Sequence, residues 1–360
     1  MNVPSRSLTK ITVAMKHASK ISILNTAAAL SLLLSASSCA KVSIDSSGKT
    51  ERYIGFTSAV ETKASPVESS DDMAEFAVWA AYYADGSLDD VPMRGIKVYR
   101  DNLGAWMYDD LQLWQEGDWH FEAFYPHPSV LAVSEIVEGK DAMGITFTAP
   151  KTEEQTGLEG LTIDYYYGPT ASHDLMTDEY TCSYTVASPD ASPVQFTFEH
   201  LLSRVGIAVK STSKDVTLTS LVFRGMSVLG AYNTQESQGQ WRLLTSKLEL
   251  SNVQPGSFTA DLSDISAPLP YDGTAVDVLS DLLLIPQTPG DSENGLTPIV
   301  VEVSYTMGEA APETRTLALP SSTPWQPGCH YRYTITLGGS DVNLTVNIVD
   351  WNELSYSVEF

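Results

Sequence analysis

From residue 41 onward the apolar residues of this chain come in short alternating runs separated by turn signals, with no sustained 3.6-residue period. A period of two places successive side chains on opposite faces of a pleated strand, so the pattern specifies β-sheet and excludes a helical bundle. Phe76-Ala77-Val78-Trp79-Ala80-Ala81-Tyr82-Tyr83 is one such run, and Asp85-Gly86 closes it with a hairpin signal. Ile96-Lys97-Val98-Tyr99 follows. Trp114-Gln115-Glu116-Gly117-Asp118 then reads as a turn feeding an aromatic strand in which Trp119, Phe121 and Ala123 face one way, and His120, Glu122 and Phe124 the other. Residues 145–147 and 163–167 complete a first set, and Ser188-Pro189-Asp190-Ala191-Ser192-Pro193 reads as a linker.

A second set opens with Val194-Gln195-Phe196-Thr197-Phe198-Glu199-His200. Leu201-Leu202-Ser203-Arg204 is expected to add a helical turn before a strand at 205–210. Further strands are expected at 216–222, 241–248, 256–262, 281–285, 299–305, 314–319, 331–337, 344–349 and 354–360. Short strands at this spacing specify an all-β fold of two tandem β-sandwich domains, over residues 71–190 and 194–360.

The first 38 residues have a different character. Arg6, Lys10, Lys16 and Lys20, with no acid among them, lead into an apolar run from Ile21 to Ala36, then Ser37-Ser38-Cys39. Sixteen residues are short for a membrane span, which needs about 20. The pattern is that of a secretory lipoprotein signal over 1–38, with Cys39 as the first mature residue and the site of lipidation. Translation from Met15 would give a more compact basic start than Met1. Residues 39–70 are rich in Ser and Thr, as in a tether, and hold one strand-like patch, Tyr53-Ile54-Gly55-Phe56-Thr57.

Removing the signal takes away four basic residues and no acid, so the net charge moves from −24 to −28. So acidic a balance argues against nucleic-acid binding and suits a self-repelling surface protein. Cys182 and Cys329 fall in different expected domains and are expected to be free thiols.

Catalytic motifs are missing. None of His120, His127, His173, His200 and His330 lies in an HExxH, and none has a ligand-type residue at metal spacing, so neither a metal site nor a cofactor is expected. Gly225-Met226-Ser227-Val228-Leu229-Gly230 misses the nucleophile-elbow spacing and reads as strand and turn. Asp71-Asp72, Asp89-Asp90 and Asp109-Asp110 read as solvated turn residues. The aromatics Trp114, Trp119 and Tyr165-Tyr166-Tyr167 suit core or cross-strand packing, with stacking on sugar rings as the alternative use.

These landmarks, in order, resemble the fimbrillin-like lipoproteins of Bacteroidetes, the subunits of type V pili. The resemblance rests on the lipid signal, Ile54-Gly55-Phe56 with Thr62-Lys63-Ala64, Trp119 through Pro126, and Val194 through Leu201. It continues with Leu283-Leu284-Ile285-Pro286-Gln287, Trp325-Gln326-Pro327-Gly328 with Tyr331, and Val349-Asp350-Trp351.

The resemblance implies two transthyretin-like sandwiches, no catalytic site, and a fimbrial location at the outer membrane, held by lipid on Cys39. It also implies polymerisation with other subunits, self or homologous, by strand exchange, and adhesion to a host or bacterial surface ligand. On this pattern Tyr53, Ile54, Gly55 and Phe56, within 53–58, are the removable strand. Lys63 stands where the family often has an arginine for an Arg-directed protease, and Arg52 is the other basic candidate. A cut at Arg52 would leave the strand attached, as an anchor or terminal subunit keeps it. Leu354, Tyr356, Val358 and Phe360 are the candidate donor strand, with residues 344–349 beside it; the competing expectation keeps both strands in their own sandwich.

Overall fold

The computed structural model describes residues 42–44, 50–60, 72–130, 145–147, 161–166, 174–186, 193–233, 240–243, 255–290, 298–338, 341–350 and 355–359. All lie in the unit Ser38–Phe360. The signal, Cys39, Lys63, Tyr167, Leu354 and Phe360, together with the expected linker up to Ser192, lie outside the described residues.

The strands run in chain order as follows. The first half holds β1 (Val42–Ile44), β2 (Thr50–Arg52), β3 (Phe56–Val60), β4 (Glu75–Ala84), β5 (Ser87–Arg100), β6 (Trp106–Tyr108), β7 (Gly117–Tyr125), β8 (Ile145–Phe147), β9 (Leu161–Tyr166) and β10 (Met176–Tyr184). Next come β11 (Val194–His200), β12 (Ser203–Ser211), β13 (Val216–Met226), β14 (Leu229–Asn233), β15 (Gln240–Leu243) and β16 (Gly256–Thr259). The chain finishes with β17 (Val276–Leu284), β18 (Val300–Met307), β19 (Glu313–Ala318), β20 (Cys329–Gly338), β21 (Asp341–Asp350) and β22 (Ser355–Glu359). The fold is all-β; among the described residues the helical content is a 3-10 turn at Pro128–Val130 and Asp72.

The strand β4 explains the architecture. Its run is apolar without a break, which a half-solvated strand would not be, and it is buried on both faces. Phe76, Val78, Ala80 and Tyr82 enter one core with Phe56, Trp119, Phe121, Phe196 and Phe198. Ala77 and Trp79 point the other way, into a second core with Phe124, Leu201, Leu202 and Tyr232. β4 is central in a seven-stranded sheet of order β3-β11-β10-β7-β4-β5-β6, so that sheet is a wall between two cores. β7 obeys the alternation read from its sequence, with Trp119, Phe121 and Ala123 in the first core and Phe124 in the second.

The second core continues between a five-stranded sheet, β17-β12-β20-β21-β22, and a four-stranded one, β16-β13-β18-β19. Here alternation is clean: Tyr331, Tyr333, Ile335 and Leu337 of β20 are buried while the residues between them are half-buried. They meet Leu221, Phe223, Val301, Val303 and Tyr305 from the four-stranded sheet, the arrangement of a sandwich with one wet face per sheet. A further four-stranded sheet, β15-β14-β9-β8, contributes Tyr232 to this core.

The structure differs from the sequence reading at several points. Leu201 to Arg204 form no helical turn: Leu201 and Leu202 are buried in the second core, and Ser203 already begins β12. β10 and β14 were not expected, and β5 extends well before Ile96. At Asp85-Gly86 the expected hairpin is present, with both φ angles positive (50° and 74°) and Ala84 opposite Ser87. Cys182 and Cys329, both half-buried, are in no disulfide, and burial pushes Cys182 up to about 11, where it is an unreactive thiol.

Candidate assembly site

The patch around Ile54 and Phe56 is where the first residues of the described chain join the seven-stranded sheet. It attaches in two parts, because the backbone crosses from one partner to another. Arg52 accepts a hydrogen bond at its carbonyl from the Trp114 amide (2.9 Å), Tyr53 bridges Leu113, and Ile54 donates its amide to the Gln112 carbonyl (2.9 Å). At Gly55 the chain turns to the sheet edge, its carbonyl accepting from the Val194 amide (2.8 Å). Phe56 to Val60 then run parallel to β11, Phe56 opposite Val194 and Val60 opposite Phe198. The ladder strand therefore begins at Phe56 and not at Tyr53. The reason is that, on either side of Tyr53, the Arg52 carbonyl and the Ile54 amide are bonded to Trp114 and Gln112.

Two side chains anchor the patch. Phe56 is 1 % exposed and Ile54 2 %, both in the first core. The Phe56 ring stacks on Phe196 (centroids 5.9 Å) and meets Tyr108 (5.4 Å), Phe121 (6.4 Å) and Phe76 (6.5 Å) edge-on. Tyr108 ties the crossing down: its hydroxyl donates to the Ile54 carbonyl (2.9 Å) and accepts from the Gln112 amide (3.1 Å). Burying two large apolar side chains contributes roughly 3–6 kcal/mol. Without residues 53–60 the β11 edge would be unpaired beside an aromatic-lined groove, the form of edge that recruits another strand.

The basic residues flanking the patch differ in what a cut would do. Arg52 lies in β2, its backbone opposite Val42 of β1, and cleavage after it leaves Tyr53–Val60 on the downstream fragment. Cleavage after Lys63 would separate the whole patch from the sheet-forming chain. At the other end β22 pairs antiparallel with β21, Tyr356 opposite Ile348 and Val358 opposite Val346, and is the edge strand of its sheet.

The other sequence landmarks lock joints. Gln287 accepts from the Ser227 amide (2.7 Å) and donates to the carbonyls of Ser227 (3.1 Å) and Ile285 (3.0 Å), all buried. Its own carbonyl accepts from the Trp325 amide, and the Trp325 indole donates to the Tyr333 hydroxyl (2.9 Å). Tyr331 donates to the Pro324 carbonyl (2.9 Å) and accepts from the Gln326 amide (2.8 Å), while Gly328 donates to the Leu202 carbonyl. His200 and Asp174 form a buried pair at 2.7 Å where β10 and β11 leave the sheet.

Two expectations need correction or closing. The sequence offered no ligand-type neighbour for any histidine, but His120 has two: Glu122, 3.1 Å away, and Glu179, the residue opposite Glu122 on β10. The i, i+2 spacing on β7 was a usable signal. Of the aromatics considered for sugar stacking, Trp119 is 2 % exposed and donates its indole to the Gln115 carbonyl. Trp114 packs beside it, 5.4 Å away, and stacks on Tyr184. These rings build the first core.

What this arrangement defines is an all-β structural protein, in which buried polar side chains hold turns and a short edge strand fills an aromatic groove. The chain belongs to the fimbrillin-like family, whose model matches residues 62–351. Membership of that family makes it a pilus-related protein and not an enzyme. Solved structures of similar fold include one assigned to cell adhesion from Bacteroides uniformis, at 15% identity and TM-score 0.48, over 84% of this chain and 99% of that one. Another so assigned is from Bacteroides ovatus (18%, TM-score 0.47, 84% and 98% of the two chains). A fimbrial assembly protein from Parabacteroides distasonis is also similar (10%, TM-score 0.39, 86% and 100%). No curated protein matches the chain.

Proposed function

We propose that this chain is a lipid-anchored fimbrial subunit, or the accessory protein that anchors one, and that it assembles by β-strand donation to mediate surface adhesion. Lipid on Cys39 holds the precursor in the outer membrane, two chains or more giving a stable anchor. Two tandem sandwiches form the body of the subunit, with β11, beyond the 188–193 linker, completing the sheet of the first. Cleavage after Lys63 frees the patch at 53–60, and a strand from the next subunit takes its place against β11. The observation that carries this reading is Phe56, a buried aromatic on a short strand at a sheet edge, set among four other rings.

The donor is the edge strand at the C-terminus, with Leu354, Tyr356, Val358 and Phe360 alternating along it. An eight-residue strand burying four apolar side chains would contribute roughly 6–12 kcal/mol, with ladder hydrogen bonds adding about 1 kcal/mol each. A subunit not cut at Lys63, or cut only at Arg52, keeps its groove filled and serves as an anchor or terminal piece.

The test is intact-mass and N-terminal analysis of the protein made in its native cells, beside a Lys63→Gln variant. Strand-exchanging subunits predict a mature N-terminus at Ala64, SDS-resistant ladders above the monomer, and loss of both in the variant. An acylated Cys39 with no cut and no ladder would remove the stalk role and leave the anchor. Uncleaved, unlipidated monomer would overturn the whole reading.

A further inference from the structure

On the face of the seven-stranded sheet turned away from Phe56, β7 and β10 place an imidazole and two carboxylates together. His120 and Glu122 share that face because they are two apart on one strand. Glu179 joins them because it is directly opposite Glu122 in the β7–β10 register. One ligand atom from each of the three lies within 4.8 Å of the others. We propose that His120, Glu122 and Glu179 form a binding site for a divalent transition-metal ion, with Zn²⁺ the best fit.

Three features support this. First, the donor set suits such an ion. One nitrogen and two carboxylate oxygens match Zn²⁺ and its neighbours, whereas Ca²⁺ takes six to eight oxygens. With bonds of about 2.0–2.2 Å, tetrahedral donors stand roughly 3.4 Å apart. His120 and Glu122 already do, at 3.1 Å, and Glu179, exposed and therefore free to change rotamer, can swing the remaining distance.

Second, the electrostatics favour a cation. Glu122 is 0 % exposed and pairs with His120 at 3.1 Å, and a bound cation would add to the compensation that a buried carboxylate requires. Like charges directly opposite on neighbouring strands, as Glu122 and Glu179 are, destabilise a sheet.

Third, the scaffold is rigid and the site reachable. β7 lies between β4 and β10, Trp79 and Phe124 wall the buried side, and Glu179 opens to solvent. A bound ion would tie β7 to β10 across the strand pair.

The experiment is a calorimetric titration of the full chain with ZnCl2, first alone and then in excess CaCl2, which saturates non-specific acidic surface, alongside Co²⁺ absorption and thermal unfolding. The expected result is one saturable Zn²⁺ site, a Co²⁺ d–d band, and a Tm that rises with ZnCl2. His120→Ala and Glu179→Gln should each weaken binding at least tenfold and abolish the Tm rise. Glu179 is exposed, so its variant tests the site in a folded protein. No saturable site, or unchanged binding in a folded Glu179→Gln, would overturn the proposal; equal displacement by Ca²⁺ would overturn the choice of metal.

Discussion

Phe56 stacks on Phe196 with the two ring planes 15° apart, across a parallel strand pair that joins the start of the described chain to its middle. Offset stacking of this kind adds to what area burial alone contributes. Phe56→Ala should therefore destabilise the protein by about 3–5 kcal/mol, because the surrounding rings can collapse only in part into the space. Denaturant unfolding checks this, with the midpoint falling and the slope unchanged. A loss below about 1 kcal/mol would mean that the groove closes without Phe56.

Gln287 makes a different kind of contribution. Its amide satisfies one buried N–H and two buried carbonyls around Ser227. Gln287→Ala is expected to cost about 2–4 kcal/mol, since each orphaned buried group carries a penalty of roughly 1–3 kcal/mol and packing relaxes some of it. Thermal unfolding and hydrogen exchange at the Ser227 amide would both register the change.

Asp178 makes stability depend on pH. Burial is the main cause that pushes its carboxyl up from 3.8 to about 6, with Glu199 and Glu179 adding to it, against the hydrogen bond it accepts from the Thr197 amide. The folded state thus binds the proton more tightly than the unfolded chain. This group's contribution is full below about pH 3.8 and is lost as pH rises through about 6. Asp178→Asn keeps an acceptor for Thr197 and removes the titration, so its stability profile should be flatter than wild type between pH 4 and 6. The side chain is only partly buried, so solvent screens part of the effect. Unfolding midpoints of the two proteins at pH 4, 5, 6 and 7 make the comparison.

Much of the fold was legible because strand alternation is local. β7 could be split into its two faces from sequence, and Asp85-Gly86 marked its hairpin. β10 was missed because Met176-Thr177-Asp178-Glu179 puts an aspartate between two residues that pack toward the first core, which breaks the apolar pattern. The Leu201-Leu202 pair read as a helical turn, but tertiary burial in the second core decides its conformation. The candidate sites were legible only in part. Ile54 and Phe56 stood out, but their partners, Gln112 and Val194, are set by long-range pairing. Likewise nothing in the sequence says that Glu179 will lie opposite Glu122.

Tyr108 allows the first strand's attachment to be weakened without disturbing the groove. Its hydroxyl bridges the Ile54 carbonyl and the Gln112 amide, and burial pushes its pKa up to about 12, so the proton that it donates stays in place at any physiological pH. Tyr108→Phe keeps the ring that meets Phe56 at 5.4 Å and removes only the two hydrogen bonds. One buried carbonyl and one amide then lose a partner, which should lower stability by about 1–3 kcal/mol. Because Ile54 also holds Gln112 through its own amide, the loosening should spread along the crossing but stop at β11, where the ladder is intact. Hydrogen exchange separates these outcomes. Faster exchange at Ile54 and Gln112 with unchanged protection in β11 would show that the crossing opens independently of the ladder. Equal loss at both places would show that residues 53–60 release as one unit, which is the behaviour a removable strand requires.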